Sequence, residues 1–136
     1  MFKQSFDYGV CMIDFENSSV FKLKPIEPEK VREDFHKFMI DGESIFAAFK
    51  SIRDQVVFTN KRIIAANVQG ITGSKVDYTS LPYSKIQAFS VESSGTLDLD
   101  CEIEVYVSEL GMARFEISGS FDLIQFNQYI SQYVLD

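Results

Sequence analysis

Residues 97–107 of the chain read LDLDCEIEVYV, in which an apolar residue occupies every second position and acids fill most positions between. Successive side chains of a β-strand point to opposite faces, so this alternation predicts a strand with one buried side and one solvent-facing side. Leu99, Ile103 and Val105 are expected to point inward. Residues 112–117 are expected to form the hairpin partner of this strand.

Further strands are predicted at short intervals before this stretch. The apolar or β-branched runs are separated by Arg53-Asp54, Asn60-Lys61 and the glycine segment 69–73, all of which are compatible with turns. With residues 97–107 and 112–117, about seven strands are expected. The five earlier ones cover residues 45–52, 56–58, 62–68, 75–79 and 85–92.

A helix is predicted at the end of the chain. Its N-cap is expected within residues 118–120, with Asp122 in the first turn, because small polar residues and acids favour a helix start. The apolar residues that follow recur at helical spacing and predict one buried face. They are Leu123, Phe126, Ile130 and Val134.

Residues 1–40 are predicted to form an N-terminal extension, and residues 41–136 the main domain. Within the extension, residues 20–24 alternate apolar and basic and predict a strand-like arm that stops at Pro25. Pro28 then favours a helix start, and Asp41-Gly42 favours its end. One apolar stripe is expected on this short helix, formed by Val31, Phe35, Phe38 and Met39.

These elements predict a mainly β architecture. An open sheet of seven strands would present long unpaired edges, so the sheet is expected to bend into two near-orthogonal antiparallel halves. The C-terminal helix is expected to cover the open corner of this barrel. An N-terminal helix completes the predicted fold.

Composition restricts the classes of function. The 136 residues are 46% hydrophobic and carry a net charge of −7, while residues 86–136 hold nine acids and Arg114 as their only Lys or Arg. Such a surface repels phosphate backbones, so nucleic acid is not an expected partner. Two cysteines, no secretory signal and no long apolar run indicate a cytoplasmic protein.

No pattern in the chain predicts catalysis or a cofactor. His36 is the single histidine and is expected at the surface, while Cys101 falls at an inward strand position and is expected in the core. Residues 70–75, GITGSK, lack the spacing of a phosphate-binding loop and are expected to form a turn. No metal site is expected, because strand-spaced carboxylates stand in a row and do not converge. Those carboxylates, at residues 98, 100, 102 and 104, form either a solvated face or a docking surface for a basic partner.

Four basic residues are candidates for binding an anion. Lys50 and Arg53 lie near one predicted hairpin, and Lys61 and Arg62 near the next. If the strand ends converge, these side chains can share a phosphate at a loop rim. The alternative is that they are solvated hairpin charges.

Several segments, in order along residues 41–117, together resemble the bacterial pleckstrin-homology (PH) domain family. The resemblance implies a PH-like fold of two near-orthogonal sheets and a C-terminal helix. It also implies cytoplasmic proteins without known catalytic activity that tend to assemble into rings. The segments are IRD at 52–54, VFTNKRII at 57–64, VQGITG at 68–73, LPYSKI at 81–86, FSVE at 89–92 and LDLD at 97–100.

The chain departs from the family pattern in two places. Residues 1–11 look like an upstream extension or an alternative start. The inositol-phosphate signature of lipid-binding PH domains is not met, because Lys50-Ser51-Ile52-Arg53 is followed by Asp54. Membrane binding is therefore not expected from the resemblance.

Two hypotheses of function follow. The first is a non-enzymatic PH-like module that self-assembles, with a ring as the form that the resemblance implies, and acts as a scaffold or protein-interaction unit. The alternative is an anion or membrane-headgroup binding module that uses the four basic residues. The first is favoured also by an aromatic N-terminal arm, part of which is expected to cover a neighbouring surface; the alternative for each ring is packing on its own domain. Its aromatic residues are Phe2, Phe6, Tyr8, Phe15 and Phe21.

Overall fold

The computed structural model describes residues 20–93, 100–119 and 121–136, and it confirms a mainly β fold with a C-terminal helix. The described part contains eight strands and two α-helices. The strands are β1 Val20–Ile26, β2 Ile45–Lys50, β3 Gln55–Thr59, β4 Arg62–Gln69, β5 Lys75–Pro82, β6 Ile86–Ser93, β7 Asp100–Val107 and β8 Gly111–Ser118; the helices are α1 Glu33–Phe38 and α2 Leu123–Val134.

The strand β1 joins the two halves of the sheet. The spatial order is β5-β4-β3-β2-β1-β8-β7-β6. Val20 to Leu23 pair in parallel with β8, whereas Lys24 to Ile26 pair antiparallel with β2. A strand that passes from one sheet to the other is a usual way to make the corner of orthogonally packed sheets. The predicted arm is thus an eighth strand, and its contact with β8 is parallel.

The main core lies between the two halves and is rich in aromatic rings. Phe58 packs edge-on against Phe49, Phe115 and Phe126, with ring centroids 4.9–5.9 Å apart. Offset and edge-to-face contacts of this kind add to the stabilisation from burial. Aromatic packing thus fills the space between the sheets.

The helix α2 covers this core, as the spacing of its apolar residues predicts. Phe126 and Ile130 are buried, and Leu123 and Val134 pack beside them as partly buried residues. The prediction for Asp122 needs correction, because this residue is the N-cap itself. Its side chain accepts a hydrogen bond from Gln125 N at 2.9 Å. The carboxylate thereby satisfies a backbone N–H that has no partner within the helix.

The alternation in β7 has the predicted orientation. Ile103 and Val105 are completely buried, and Cys101 is buried beside them. Asp100 is exposed, while the acids at 102 and 104 are half-buried on the opposite face. Residues 97–99, including Leu99 and Asp98, lie outside the described residues, as do the aromatic residues at 2, 6, 8 and 15.

A second layer covers the outer side of β2 to β4. The predicted single helix is instead a 3₁₀ turn, Pro28–Lys30, followed by the short helix α1. The break occurs because Val31 and Arg32 have extended backbone, and Arg32 N donates to Gln55 Oε1 at 2.8 Å. Phe38, predicted in the apolar stripe, is 41% exposed.

The residues of this second layer explain the continuous apolar runs of β3 and β4. Val31 and Phe35 pack on the sheet, so the strands beneath them are buried on both faces. Doubly covered strands have apolar runs without alternation. The boundary at residue 40 between an N-terminal extension and the main domain stays a prediction. In the structure, β1 is part of the sheet and α1 packs on the sheet. The second cluster consists of Val31, Phe35, Ala48, Val57, Ile64 and Ala66.

The segment GITGSK forms the predicted turn between β4 and β5. Gly70 and Gly73 have φ values of 79° and 71°, which residues with a side chain rarely adopt. The strand β5 follows directly, whereas a phosphate-binding loop leads into a helix. Neither described helix is long and apolar enough to cross a membrane.

Candidate functional site

Lys50 and Arg53 flank the turn between β2 and β3. Arg53 Nη2 donates a 2.6 Å hydrogen bond to Gly70 O in the turn between β4 and β5. Asp54 Oδ1 accepts from Val68 N at 2.9 Å and ties the same two hairpins together. Arg53 is therefore engaged with backbone, while the Lys50 side chain is exposed.

Arg62 is held in a different set of contacts at the start of β4. Its Nε is 2.9 Å from Glu43 Oε2, and its Nη2 is 3.0 Å from Glu43 Oε1. The guanidinium also donates to Phe38 O at 2.9 Å and to Ser80 Oγ at 3.1 Å. Each of its nitrogens thus already has an acceptor within the chain. The neighbouring Lys61 side chain is exposed.

Glu43 is the carboxylate at the centre of these contacts, and its side chain has no exposed surface. Burial would raise its pKa, but hydrogen bonds from Arg62, from Thr59 Oγ1 and from Ile40 N, together with the Arg62 charge, lower the pKa below its ordinary value. Thr59 Oγ1 donates to Oε2 at 2.7 Å, and Ile40 N donates to Oε1 at 3.1 Å. The pair between Glu43 and Arg62 is therefore a structural link between β4 and the segment before β2.

The four predicted anion-binding residues do not converge. Lys50 and Arg53 precede β3, while Lys61 and Arg62 follow it. The five residues of β3 separate the two ends of that strand by roughly 16 Å. The four residues thus lie at two separate ends of the sheet, and the arginine at each end is already hydrogen-bonded within the chain.

The structure instead gathers three lysines, which we call the lysine patch: Lys22, Lys24 and Lys50. Lys24 lies directly opposite Lys50 in the pairing of β1 with β2. With Ser51 and Ile52, the three line a depression of about 350 Å³. None of them has an ion pair among residues 20–93, 100–119 and 121–136. The sequence predicted the basic side of β1 but not its pairing with β2, because that contact is set by tertiary packing.

Three glutamates form a row on the other half of the sheet, which we call the acidic patch: Glu92, Glu102 and Glu116. Glu92 lies opposite Glu102, and Glu102 lies opposite Glu116, across β6, β7 and β8. Like charges directly opposite destabilise a sheet. Arg114 offsets part of this charge, since its Nε is 3.6 Å from Glu102 Oε2 and 3.0 Å from Glu104 Oε2.

A small apolar groove lies between β1, β2 and α2. It measures about 200 Å³ and is lined mainly by Pro25, Phe46, Phe49, Phe126 and Tyr129. Its lining residues include no cysteine, serine or histidine. Its apolar lining suits an apolar group, and its two carboxylates, Glu27 and Asp122, belong to the segments that precede the 3₁₀ turn and α2.

His36 and Cys101, the residues best suited to nucleophilic or acid–base chemistry, lie in different elements, α1 and β7. His36 is exposed on α1, as predicted, and Cys101 is buried in β7. Burial, together with the Asp100 charge, raises the pKa of the Cys101 thiol to about 11. A thiol with that pKa is protonated at neutral pH and is a weak nucleophile. Within the described residues no group of three or more His, Cys, Asp or Glu is arranged to hold a metal ion.

In the described part of the chain, the sheet ends at two strands, β5 and β6. The edge strand β6 reads IQAFSVES and has neither lysine nor proline, with Glu92 as its one charge. Ala88 and Ser90 are exposed on it, and Phe89 and Val91 are partly buried. The other edge, β5, includes Lys75, Asp77 and Pro82. Charges and prolines are common protections of edge strands, so β6 is the less protected edge.

Residues 14–134 match the family model described as Bacterial PH domain. Among curated proteins, the uncharacterized protein YjqA of Bacillus subtilis (strain 168) is 46% identical over 78 residues, which is 57% of this chain and 62% of YjqA. The uncharacterized protein YvbH of the same organism is 31% identical over 105 residues, 76% of this chain and 50% of YvbH. The chain thus aligns with between half and two thirds of the length of these relatives.

Solved structures have the same fold. A protein with a pleckstrin-homology domain from Shewanella loihica PV-4 superposes with a TM-score of 0.69 at 32% identity, covering 84% of this chain and 98% of that one. A pleckstrin homology domain from Shewanella amazonensis SB2B gives a TM-score of 0.58 at 34% identity, covering 82% and 90%. None of these matches indicates a family of enzymes.

Proposed function

This chain belongs to the bacterial PH domain family, and from that premise we propose that it is a non-enzymatic module that assembles with copies of itself. In the proposed role it acts in the cytoplasm as a scaffold or protein-interaction unit. The observation that carries the proposal is the edge of β6, beside which residues 20–93, 100–119 and 121–136 place no further strand. An unpaired edge offers a row of backbone donors and acceptors to another chain.

The composition of β6 supports pairing with another strand. Its side chains are small or apolar at most positions, and it has no lysine or proline to discourage an incoming strand. Addition of a strand to a sheet edge is a common mode of recognition, in which main-chain hydrogen bonds supply much of the affinity. We therefore assign the self-association to this edge.

Light scattering at micromolar concentration tests the assembly. We expect a mass above 15.5 kDa that falls on dilution. A variant with Ala88→Lys and Ser90→Lys should have a lower mass, because charges on an edge strand hinder its pairing with another strand. Ala88→Glu with Ser90→Glu should lower the mass in the same way. The matched control is Asn127→Lys with Gln128→Lys on the exposed side of α2. A wild-type mass of 15.5 kDa at all concentrations would remove self-assembly from the proposed function.

The state of the reactive side chains supports a non-enzymatic role. Cys101 is a buried, protonated thiol, and His36 stands on the surface of a short helix. The arginines that were candidates for an anion site are bonded within the chain. Such groups suit a structural module better than a reaction centre.

A second candidate function is anion binding at the lysine patch. The observation that favours it is the depression of about 350 Å³ in which Lys22 and Lys24 join Lys50. Liposomes of phosphatidylglycerol and solutions of inorganic phosphate are the two probes, because a headgroup and a free ion share the same chemistry. Co-sedimentation with the liposomes that is lost at high salt would support membrane binding. Binding of neither probe would exclude this candidate.

A further inference from the structure

Five aromatic rings line the apolar groove between β1, β2 and α2. Phe49 and Phe126 are buried, while the other three rings are partly exposed and belong to Phe46, Phe121 and Tyr129. The ring centroids of Phe46 and Tyr129 are 4.9 Å apart, and those of Phe49 and Phe121 are 5.4 Å apart. A ring face attracts a positive group that lies within about 6 Å of the ring centroid. A positive group bound in a groove of about 200 Å³ would lie close to several of these rings.

The charged side chains that line the groove are both carboxylates, Glu27 and Asp122, and no described lysine or arginine lines it. Glu27 is exposed, and its side chain makes no capping hydrogen bond to the 3₁₀ turn that follows. Asp122 is exposed as well and uses Oδ1 to accept from Gln125 N. Neither carboxylate belongs to an ion pair among residues 20–93, 100–119 and 121–136. The groove therefore combines an apolar lining with negative charge that these residues leave uncompensated.

The fold brings the two carboxylates together from distant parts of the sequence. Glu27 follows β1, and Asp122 is the N-cap of α2. A Cβ atom at Gly119 would stand 3.4 Å from Pro25 Cδ, so the backbone that leads to α2 lies against the end of β1. Because of this contact, one ligand can meet the rings and the carboxylates in the same groove.

The lining also restricts the chemistry of the ligand. Sites for drug-sized ligands measure about 300–1,000 Å³, so this groove suits a smaller group. A metal ion requires several converging oxygen ligands, which an apolar lining does not offer. A primary ammonium would lose its hydrogen bonds to water in such a groove. A quaternary ammonium has no N–H donor, has an apolar surface and is attracted by aromatic rings.

We propose that the apolar groove binds a free, small quaternary ammonium ion, with its methyl groups against the rings and its charge beside Glu27 and Asp122. The inference goes beyond the proposed self-assembly and does not depend on it. It assigns a class of small ligand to a surface that is separate from the β6 edge. The fit is one of charge and of apolar area, and each can be removed by itself.

A pair of ligands with the same shape tests the role of charge. Choline is the first, and the second is its neutral analogue, in which a tert-butyl group replaces the trimethylammonium group. In isothermal titration calorimetry, choline should bind the wild type at least about tenfold more tightly than the analogue, because the analogue lacks the charge.

Removal of the carboxylates tests the same point in the protein. Glu27→Gln with Asp122→Asn keeps the side-chain shapes, and asparagine is also a good N-cap, so α2 should remain folded. Choline should bind this variant at least about tenfold more weakly than the wild type, while the affinity for the neutral analogue should not change. The matched control, Glu33→Gln with Asp41→Asn, removes as much charge at exposed positions outside the groove and should bind choline as the wild type does.

Replacement of one ring tests the aromatic lining. Tyr129→Leu keeps an apolar side chain in the groove but removes a ring. Choline should bind about threefold more weakly, and the neutral analogue should be affected less. Tyr106→Leu, at an exposed position of β7 outside the groove, is the control and should leave both affinities unchanged. Circular dichroism melts of all variants establish that they are folded.

Four results would overturn the proposal. The first is that choline does not bind at millimolar concentration. The second is that the neutral analogue binds as tightly as choline, which would indicate an apolar ligand such as a side chain of a protein partner. The third is an equal loss of choline affinity in both carboxylate variants, because the attraction would then come from the acidic surface as a whole. The fourth is co-sedimentation with phosphatidylcholine vesicles without binding of free choline, which would indicate a lipid surface. Any of these results leaves the self-assembly standing, since the mass of the assembly is measured separately.

Discussion

Arg62 has a structural role that differs from the anion-binding role predicted from the sequence. The sequence presents it as a basic residue beside Lys61 in a hairpin. In the fold its guanidinium reaches Glu43, a carboxylate with no exposed side-chain surface. A buried carboxylate requires a partner for its charge, and Arg62 with Thr59 supplies it.

Removal of Arg62 is therefore expected to be costly. In Arg62→Met, Glu43 keeps its buried position but loses its counter-charge. We expect the free energy of unfolding to fall by about 3–5 kcal/mol in urea titrations. Lys61→Met removes an exposed charge next to it and should change the value by no more than about 0.5 kcal/mol. Equal losses in the two variants would contradict the structural role of Arg62.

The same pair predicts a pH dependence. The pKa of Glu43 lies below its ordinary value of 4.5 in the folded chain. A lowered folded-state pKa contributes stability above the unfolded-state pKa, and this contribution disappears as pH falls through the folded-state pKa. The difference in unfolding free energy between wild type and Glu43→Gln should be constant near neutral pH and shrink below about pH 4.5. A difference that stays constant into strong acid would refute the assignment.

A third residue-scale prediction concerns the two faces of β7. Ile103 is completely buried in the main core, whereas Glu104 is half-buried and paired with Arg114. Ile103→Ala should lower the free energy of unfolding by about 2–5 kcal/mol through the lost contacts and the cavity. Glu104→Ala loses a partly exposed ion pair and should cost less than about 1 kcal/mol. Similar losses of unfolding free energy in urea melts would mean that the buried and solvent-facing sides of β7 are wrongly assigned.

At the scale of elements, α2 is the part that closes the core. It contributes Phe126 and Ile130 to the space between the sheets. Truncation after Ser118 should expose that apolar interior, so the shortened chain is expected to aggregate or to bind the dye ANS. A soluble truncated chain with cooperative unfolding would contradict this role.

A milder change tests the same element in a folded protein. Phe126→Ala should lower the free energy of unfolding by about 3–5 kcal/mol, as is typical for a buried aromatic residue. Ile124, on the opposite side of α2, is 75% exposed, and Ile124→Ala should have little effect. Thermal melts followed by circular dichroism compare the two variants.

Elements with strong periodicity were predictable from the sequence. The alternation around Ile103 and the helical spacing around Phe126 both reflect a single buried face, which is a local property of the chain. The helix near Phe35 was predicted too long, because the contact of Arg32 with Gln55 interrupts it from a distant strand. The lysine patch was missed for a similar reason, since the pairing of Lys24 with Lys50 depends on the arrangement of β1 in the whole sheet.

For the whole molecule, β1 is the element that makes two sheets into one unit. Its first residues belong to one half and its last residues to the other, and Leu23 at the junction is 1% exposed. Leu23→Ala should lower the free energy of unfolding by about 2–5 kcal/mol. Circular dichroism and tyrosine fluorescence should still report one coincident transition, because both halves share this strand. Two separate transitions in the wild type would show that the halves unfold independently.

The parallel pairing of β1 with β8 also constrains the order in which the molecule can form. Val20 lies opposite Arg114, 94 positions later in the chain, while β2 to β5 pair with their immediate neighbours in sequence. Contacts between distant residues are slow to form, since the entropy of closing a long loop must be overcome first. On the ribosome, β1 emerges long before β8, because the two strands are far apart in the sequence. The nascent chain therefore passes through a period in which β1 lacks its β8 neighbour, and during that period the open side of β1 can pair with a strand of another chain.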